Sequence, residues 1–151
     1  GAGKRESMTR RQLETRARRK LGDDEIQRLV NIYAIRVEGD RYEPLPSFDV
    51  ALKLDELDIP VDSMEEAAEA INRHMDALAD ELTEILRTRV LTPFRGREHS
   101  EADKAAFEKT MSRLRQLTLE AVVAGFQRAA NQVITRSLSE SSNGSRRSGQ
   151  D

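Results

Sequence analysis

The chain has 151 residues, of which 37% are hydrophobic, 34% charged and 4% aromatic, with no cysteine, no tryptophan and a formal net charge of -2. Without cysteine there is no disulfide, no thiolate nucleophile and no Cys-based zinc site, and no apolar stretch approaches the ~20 residues that cross a bilayer. The composition therefore predicts a soluble, cytoplasmic protein of amphipathic helices, without a membrane partner and without a deep core or sheet sandwich.

The charge is segregated along the chain. Residues 1–21 hold eight Lys/Arg against two Glu, residues 22–91 seven basic against eighteen acidic groups, and residues 92–151 ten against seven. A basic head thus precedes an acidic body. The preferred reading of that head is a solvated helix pairing with the body; contact with a nucleic-acid backbone is the alternative.

Gly1-Ala2-Gly3 reads as a linker remnant, and the chain as a piece of a longer protein whose residues 1–8 are linker-derived or disordered. Thr9-Arg10-Arg11-Gln12 has the form of a capping box that opens a first helix with Leu13, Ala17 and Leu21 inward and Gly22 as its C-cap. Asp23 and Asp24 start a second helix, favourably placed at its positive end, with Ile26, Leu29, Val30 and Tyr33 inward. Residues 34–44 read as a β-hairpin turned at Gly39-Asp40, with glycine in the first central place and Pro44 closing an edge. Arg36 and Arg41 on this hairpin are offset by Glu38, Asp40 and Glu43.

Ser47 caps a third helix with Phe48, Ala51, Leu52 and Leu54 or Leu57 inward, and Ile59-Pro60-Val61 turns the corner. Ser63-Met64-Glu65-Glu66 forms a second capping box. The helix that it opens carries Met64, Ala68, Ile71, Met75, Leu78, Leu82 and Ile85 at steps of four and three and runs to about Val90. That spacing lays one apolar seam along the helix, and such a seam must be covered by another helix. Thr92-Pro93-Phe94-Arg95-Gly96 breaks the helix. Ser100, with Asp103 three residues on, opens a last helix with Phe107, Met111, Leu114, Leu117, Ala121, Val122, Phe126, Ala129 and Val133 on a broad apolar face reaching Leu138. Residues 139–151 are small, polar and aperiodic and read as disordered.

The fold class is therefore mainly α: a small unit of helices and one β-hairpin over residues 9–61, then a long antiparallel helical hairpin over 62–138. The face of that hairpin is too wide for two helices, which predicts a homodimer paired into a four-helix arrangement. Its interface would use Met75, Leu78, Leu82, Ile85, Leu114, Leu117 and Ala121. Met64, Met111, Phe94, Phe107 and Phe126 are the residues available to line an apolar ligand pocket; simple core packing is the competing reading.

Candidate catalytic groups are sparse. His74 flanks the seam with no carboxylate three or four residues away, and His99 stands near Glu98 and Glu101 without the spacing of a metal site. Asp23-Asp24 is explained by helix-start electrostatics, and there is neither a nucleophile elbow nor a glycine-rich phosphate loop. The expectation is a chain that is not an enzyme and needs no cofactor or metal.

Helix, helix, hairpin, helix and long helix is the order of a winged helix-turn-helix feeding a dimerisation helix. Gly39-Asp40-Arg41-Tyr42-Glu43-Pro44-Leu45-Pro46-Ser47 resembles the wing and following helix start of the MerR family of bacterial transcription regulators. Leu52 to Val61 resembles that family's helix ending in a Leu-Gly-hydrophobic corner, with Asp58 where glycine is usual. Residues 9–138, best in Met75–Leu82 and Leu114–Phe126, are similar to the C-terminal regulatory half of MerR-like regulators, in which a degenerate wing-helix unit precedes a helical hairpin. The resemblance implies a regulatory, dimerising and effector-sensing domain, with a small-molecule effector and with DNA contacted through an upstream domain absent from this chain. Asp23, Asp24 and Glu25 agree with that reading, since three acids at the start of a recognition helix repel phosphate. The alternatives are a winged-helix DNA-binding module using Arg10, Arg11, Arg18 and Arg19 of its first helix, and a purely structural helical interaction domain.

Overall fold

The computed structural model describes residues 6–148 and is mainly helical, with one two-stranded antiparallel sheet. In chain order the elements are α1 (Arg10–Ala17), α2 (Asp23–Asn31), β1 (Ile35–Glu38), β2 (Arg41–Pro44), α3 (Phe48–Asp55), α4 (Val61–Leu86), a π-helical turn (Arg87–Leu91), the short α5 (Thr92–Arg95) and α6 (Glu101–Ser148). The order helix, helix, hairpin, helix, long helix is as expected. Two compact units divide between Pro93 and Phe94, so α4 falls in the unit that holds the short helices and the sheet.

The Thr9 capping box forms: the Thr9 hydroxyl accepts from the Gln12 N–H at 3.2 Å, and Gln12 Oε1 accepts from the Thr9 N–H at 2.9 Å. The end of α1 differs from expectation. The helix stops at Ala17, Arg18 adopts the left-handed conformation (φ 61°), and Gly22 is the N-cap of α2 instead of the C-cap of α1. Arg18 and Arg19 donate their N–H groups back to the carbonyls of Thr15 and Glu14, both at 3.2 Å, which is the Schellman pairing. The Glu14 carboxylate takes the Leu21 N–H at 2.7 Å, and the turn drops Leu21 into the core.

The same device ends α2. Tyr33 stands at φ 61°, its N–H goes to the Val30 carbonyl, and the Ala34 N–H goes to that of Leu29. Tyr33 was expected to face inward; the left-handed turn carries it to the surface, and Ala34, fully buried, takes the inward place.

The hairpin has the expected register, with Glu38 opposite Arg41 across the Gly39-Asp40 loop. Gly39 has φ +59° and Asp40 does not share the positive φ, which is the pattern of a type II′ turn. Met8 was assigned to a disordered lead-in. It instead pairs with Tyr42 through two backbone hydrogen bonds of 2.8 Å, extending the sheet edge by one residue, while residues 1–5 of that lead-in lie outside the described residues.

The core consists of Leu13, Leu21, Ile26, Leu29, Ala34, Ile35, Phe48 and Ala51, packed over by Met8, Ala17, Val30, Ile32, Tyr42 and Leu52. Burying side chains of the size of Leu13 and Phe48 stabilises by about 1.5–3 kcal/mol each. Leu54 and Leu57, expected inward on α3, are exposed. Phe48 and Ala51 already fill the surface of α3 that faces α1 and α2. Ser47 occupies the N-cap place of α3, but its hydroxyl donates to the Tyr33 carbonyl rather than capping the helix.

Helix α4 begins two residues before the expected Ser63. Pro60 is its N-cap, and the Ser63 and Met64 N–H groups donate to the Pro60 carbonyl, so Ser63 lies within the first turn. The break expected over Thr92–Gly96 falls at the end of that stretch, after Arg95. Helical backbone continues through Pro93 to Arg95 because the π-helical turn widens the rings before it: the Thr92 N–H bonds the Arg87 carbonyl, five residues back. A proline ring clashes with the carbonyl four residues before it, and the wider turn moves that carbonyl aside.

At α6 the expected cap is present, reciprocal between Ser100 and Asp103, with N–H to side-chain distances of 3.3 and 3.1 Å. The helix does not end at Leu138. It runs to Ser148, so residues 139–148 are helical where disorder was expected, and residues 149–151 lie outside the described residues. Extending an existing helix adds one hydrogen bond per residue and needs no new nucleus.

Candidate functional site

Among the described residues every buried side chain lies between Leu13 and Ala51. From Val61 to Ser148 the chain is helical apart from residues 96–100 and has no buried side chain among the described residues, yet it carries the longest apolar stripes in the sequence. On α4, Met64, Ala68, Leu78 and Leu82 are half-buried, while Ile71 (61%), Met75 and Ile85 are exposed. On α6, Leu114, Leu117, Ala121 and Phe126 (65%) are exposed, as are Leu119, Val123, Val133, Ile134 and Leu138. Thr118, between Leu114 and Ala121 on the same stripe, is half-buried and donates its hydroxyl to the Leu114 carbonyl at 2.7 Å. Apolar surface of this extent is a binding surface or a liability. Each stripe is a candidate functional site in its own unit: Met75, Leu78, Leu82 and Ile85 lie on α4, and Leu114, Leu117 and Ala121 on α6.

The residues proposed for a ligand pocket divide between the two units. Met64 belongs to the first unit. In the second unit Phe94 stacks on Phe107, with ring centroids 3.8 Å apart and planes 7° apart, and Met111 is half-buried one turn further along α6. Phe126 lies nineteen residues beyond Phe107 on one helix, about 28 Å at 1.5 Å per residue. The sequence reading missed the third member of the stack. His99 lies on the other face of Phe94 at 3.7 Å, and its Nε2 is 2.7 Å from the Phe94 carbonyl oxygen. Its contacts are thus with an aromatic ring and a backbone carbonyl. Among the described residues no group of three or more His, Cys, Asp or Glu side chains is placed to hold a metal ion. His74 is exposed on α4.

The basic first helix is partly neutralised by its own unit. Arg10 is paired with Asp23 at 2.6 Å and also donates to the Leu21 carbonyl, and the hydrogen bond to Asp23 raises the Arg10 guanidinium pKa against the effect of burial. Arg16 lies 5.4 Å over the Phe48 ring and within 3.6 Å of Asp49. Arg19 hydrogen-bonds Glu25 and reaches Asp55 at 3.4 Å, and Arg28 approaches the same Asp55 at 3.5 Å. These four residues tie the α1–α2 loop, α2 and α3 together. Burial alone would raise the Glu25 carboxyl pKa, but the hydrogen bond and charge of Arg19, with the Gly22 N–H, outweigh it and hold Glu25 below its ordinary value.

On the hairpin, Arg36 pairs with Glu43 at 3.1 Å, and Arg41 donates to the Ser7 hydroxyl and carbonyl. Of the four arginines considered for DNA contact, Arg10 and Arg19 are therefore held in ion pairs. Arg11 and Arg18 are exposed without one among the described residues. Comparison with family models, with curated proteins and with solved structures finds no match to the chain.

Proposed function

We propose that the chain is the regulatory and dimerisation domain of a MerR-like transcription regulator, in which the apolar stripes of α4 and α6 pair with those of a second copy. In this reading DNA is recognised by a further domain of the regulator, and an effector acts by shifting the balance between two arrangements of the same helix interface. The observation that carries the proposal is the contrast between a packed core ending at Ala51 and two long helices, beginning at Val61, whose apolar residues are exposed or only half-buried. Stable association removes apolar area from water, which is favourable by roughly 25 cal/mol per Å². The Phe94, Phe107 and His99 stack is the place where a flat hydrophobic or cationic effector would be expected to act. The MerR assignment rests on the sequence resemblance given above.

The test is sedimentation or light scattering of the chain at micromolar concentration. A dimer is expected, and Leu78→Asp with Leu82→Asp should convert it to a monomer with its far-UV helical signal largely retained, because a buried unpaired carboxylate is severely costly. A strict monomer for the unaltered chain overturns the proposal. Thermal-shift screening with hydrophobic and cationic small molecules tests the effector part separately.

A further inference from the structure

We infer that His99 stands in the place of a ligand: the aromatic site at Phe94 binds a planar heteroaromatic molecule with an N–H donor, and the chain blocks it with its own imidazole. This rests on the proposed reading of the stack as the effector's place, and it specifies the chemistry of that effector and the group that competes with it. Phe94, His99 and Phe107 all belong to the second unit. The Phe94 ring is covered on both faces, by Phe107 at 3.8 Å and by His99 at 3.7 Å, with planes 7° and 11° apart.

The two covers differ in how they are held. Phe107 stands on α6, where the hydrogen-bonded winding fixes its position. His99 stands in residues 96–100, the stretch outside the helices, which begins with Gly96. Its ring is held by the stack and by Nε2, 2.7 Å from the Phe94 carbonyl oxygen. That carbonyl also accepts the Arg97 N–H at 3.2 Å, so it keeps a partner when His99 leaves and has a lone pair to offer. One stack and one hydrogen bond are a weak latch, and they leave the open form populated at between about one part in ten and one in a hundred. All three rings are only half-buried, so small solutes reach the edge of the stack.

The chemistry of the ligand follows from what the imidazole satisfies. It lays a flat face on Phe94 and, because a carbonyl oxygen only accepts, it presents Nε2 with its proton to that oxygen. An aliphatic occupant loses the stack, and a hydrocarbon ring leaves the carbonyl without the donor that His99 provided. Net charge does not select: Arg95, Arg97, Glu98 and Glu101 in and beside the loop are all exposed, two of each sign. A planar ring with an N–H on its edge meets both requirements.

The experiment is proton NMR of the full 151-residue chain titrated with benzimidazole. The sequence has two histidines, and the exposed His74 serves as internal reference. Stacked on Phe94, the His99 ring protons are expected upfield of those of His74, and benzimidazole should carry them toward the His74 position as it displaces the ring. His99→Ala should bind benzimidazole more tightly by about tenfold or more, because the competing ring is gone. 1-Methylbenzimidazole, which lacks the N–H, should bind about fivefold more weakly, and Phe94→Leu should abolish binding. Far-UV circular dichroism confirms that each variant keeps its helices. The inference is overturned by His99 signals that coincide with those of His74 before ligand is added, or by no binding to His99→Ala up to about 10 mM benzimidazole, the weakest affinity expected of so small a ligand. It is also overturned by His99→Ala binding no tighter than the parent, or by equal binding of the methylated probe. Sedimentation keeps the two ideas apart: a dimer that fails these tests loses only the ligand, and a monomer that passes them loses only the proposed pairing.

Discussion

The Ser47 hydroxyl donates to the Tyr33 carbonyl at 3.0 Å, joining the first residue of the α3 corner to the left-handed turn that closes α2. Two residues fourteen apart in sequence thereby fix the position of Phe48, the largest fully buried side chain, against Leu13. A turn with an intrinsic conformational cost is held by a bond from outside it.

Tyr33→Gly should therefore stabilise the first unit. A bulky residue in the left-handed region costs roughly 1–2 kcal/mol, and glycine's greater freedom in the unfolded chain offsets about 0.5–1 of this, so a gain of up to ~1.5 kcal/mol is expected. Urea denaturation followed by circular dichroism reads it. Ser47→Ala should act in the opposite sense, by about 1 kcal/mol. A Tyr33→Gly variant less stable than the parent would contradict the assigned backbone conformation.

Phe48→Ala should cost about 3–5 kcal/mol, since it empties the centre of a core that is small to begin with. The same substitution in the exposed stripe, Phe126→Ala, should leave the unfolding of the first unit unchanged. Hydrogen exchange of the amides of α1 and α2 separates the two outcomes.

Stability should fall as the solution is acidified below about pH 4.5. The Glu25 carboxyl is held beneath its ordinary value of 4.5 in the folded chain, so its contribution is present above that value and is lost as pH descends through the folded pKa. Because Arg19 and Arg28 remain about one-third exposed, solvent screening limits the effect to about 1 kcal/mol. In Glu25→Gln the midpoint of thermal unfolding should be lower at pH 7 and less dependent on pH between 3 and 5. An unchanged pH profile would remove Glu25 from the set of stabilising carboxylates.

The thermal midpoint should rise with protein concentration if the stripes of α4 and α6 pair between copies, because association stabilises only the folded form. Leu114→Asp should abolish that dependence. A midpoint independent of concentration from about 1 to 100 µM would speak against an associating chain.

Local chemistry made much of the fold readable in the residues themselves. Thr9 with Gln12, Ser100 with Asp103, and Gly39-Asp40 act within a single turn, and each produced the geometry expected of it. The ends of α1 and α2 were not readable, because the residues that turn left-handed there are Arg18 and Tyr33 where glycine is the usual signal. The Arg19, Glu25, Arg28 and Asp55 cluster was likewise hidden, since it joins three elements across up to thirty-six residues. At the candidate site the apolar stripes of α4 and α6 followed from helical spacing alone. The stack of His99 on Phe94 depends on how a loop folds back, which spacing does not encode.

The π-helical turn also has a geometric effect on the seam. In an unbroken α-helix the next places after Ile85 would be Arg89 and Thr92, both polar. The extra residue in the widened ring delays the helical phase by one position, so Val90 and Leu91 are half-buried while Arg89 and Thr92 point to water. A single stretched coil thus lets the hydrophobic ridge outlast its own repeat by another turn, and replacing it with regular winding would present a cation where an aliphatic group now stands.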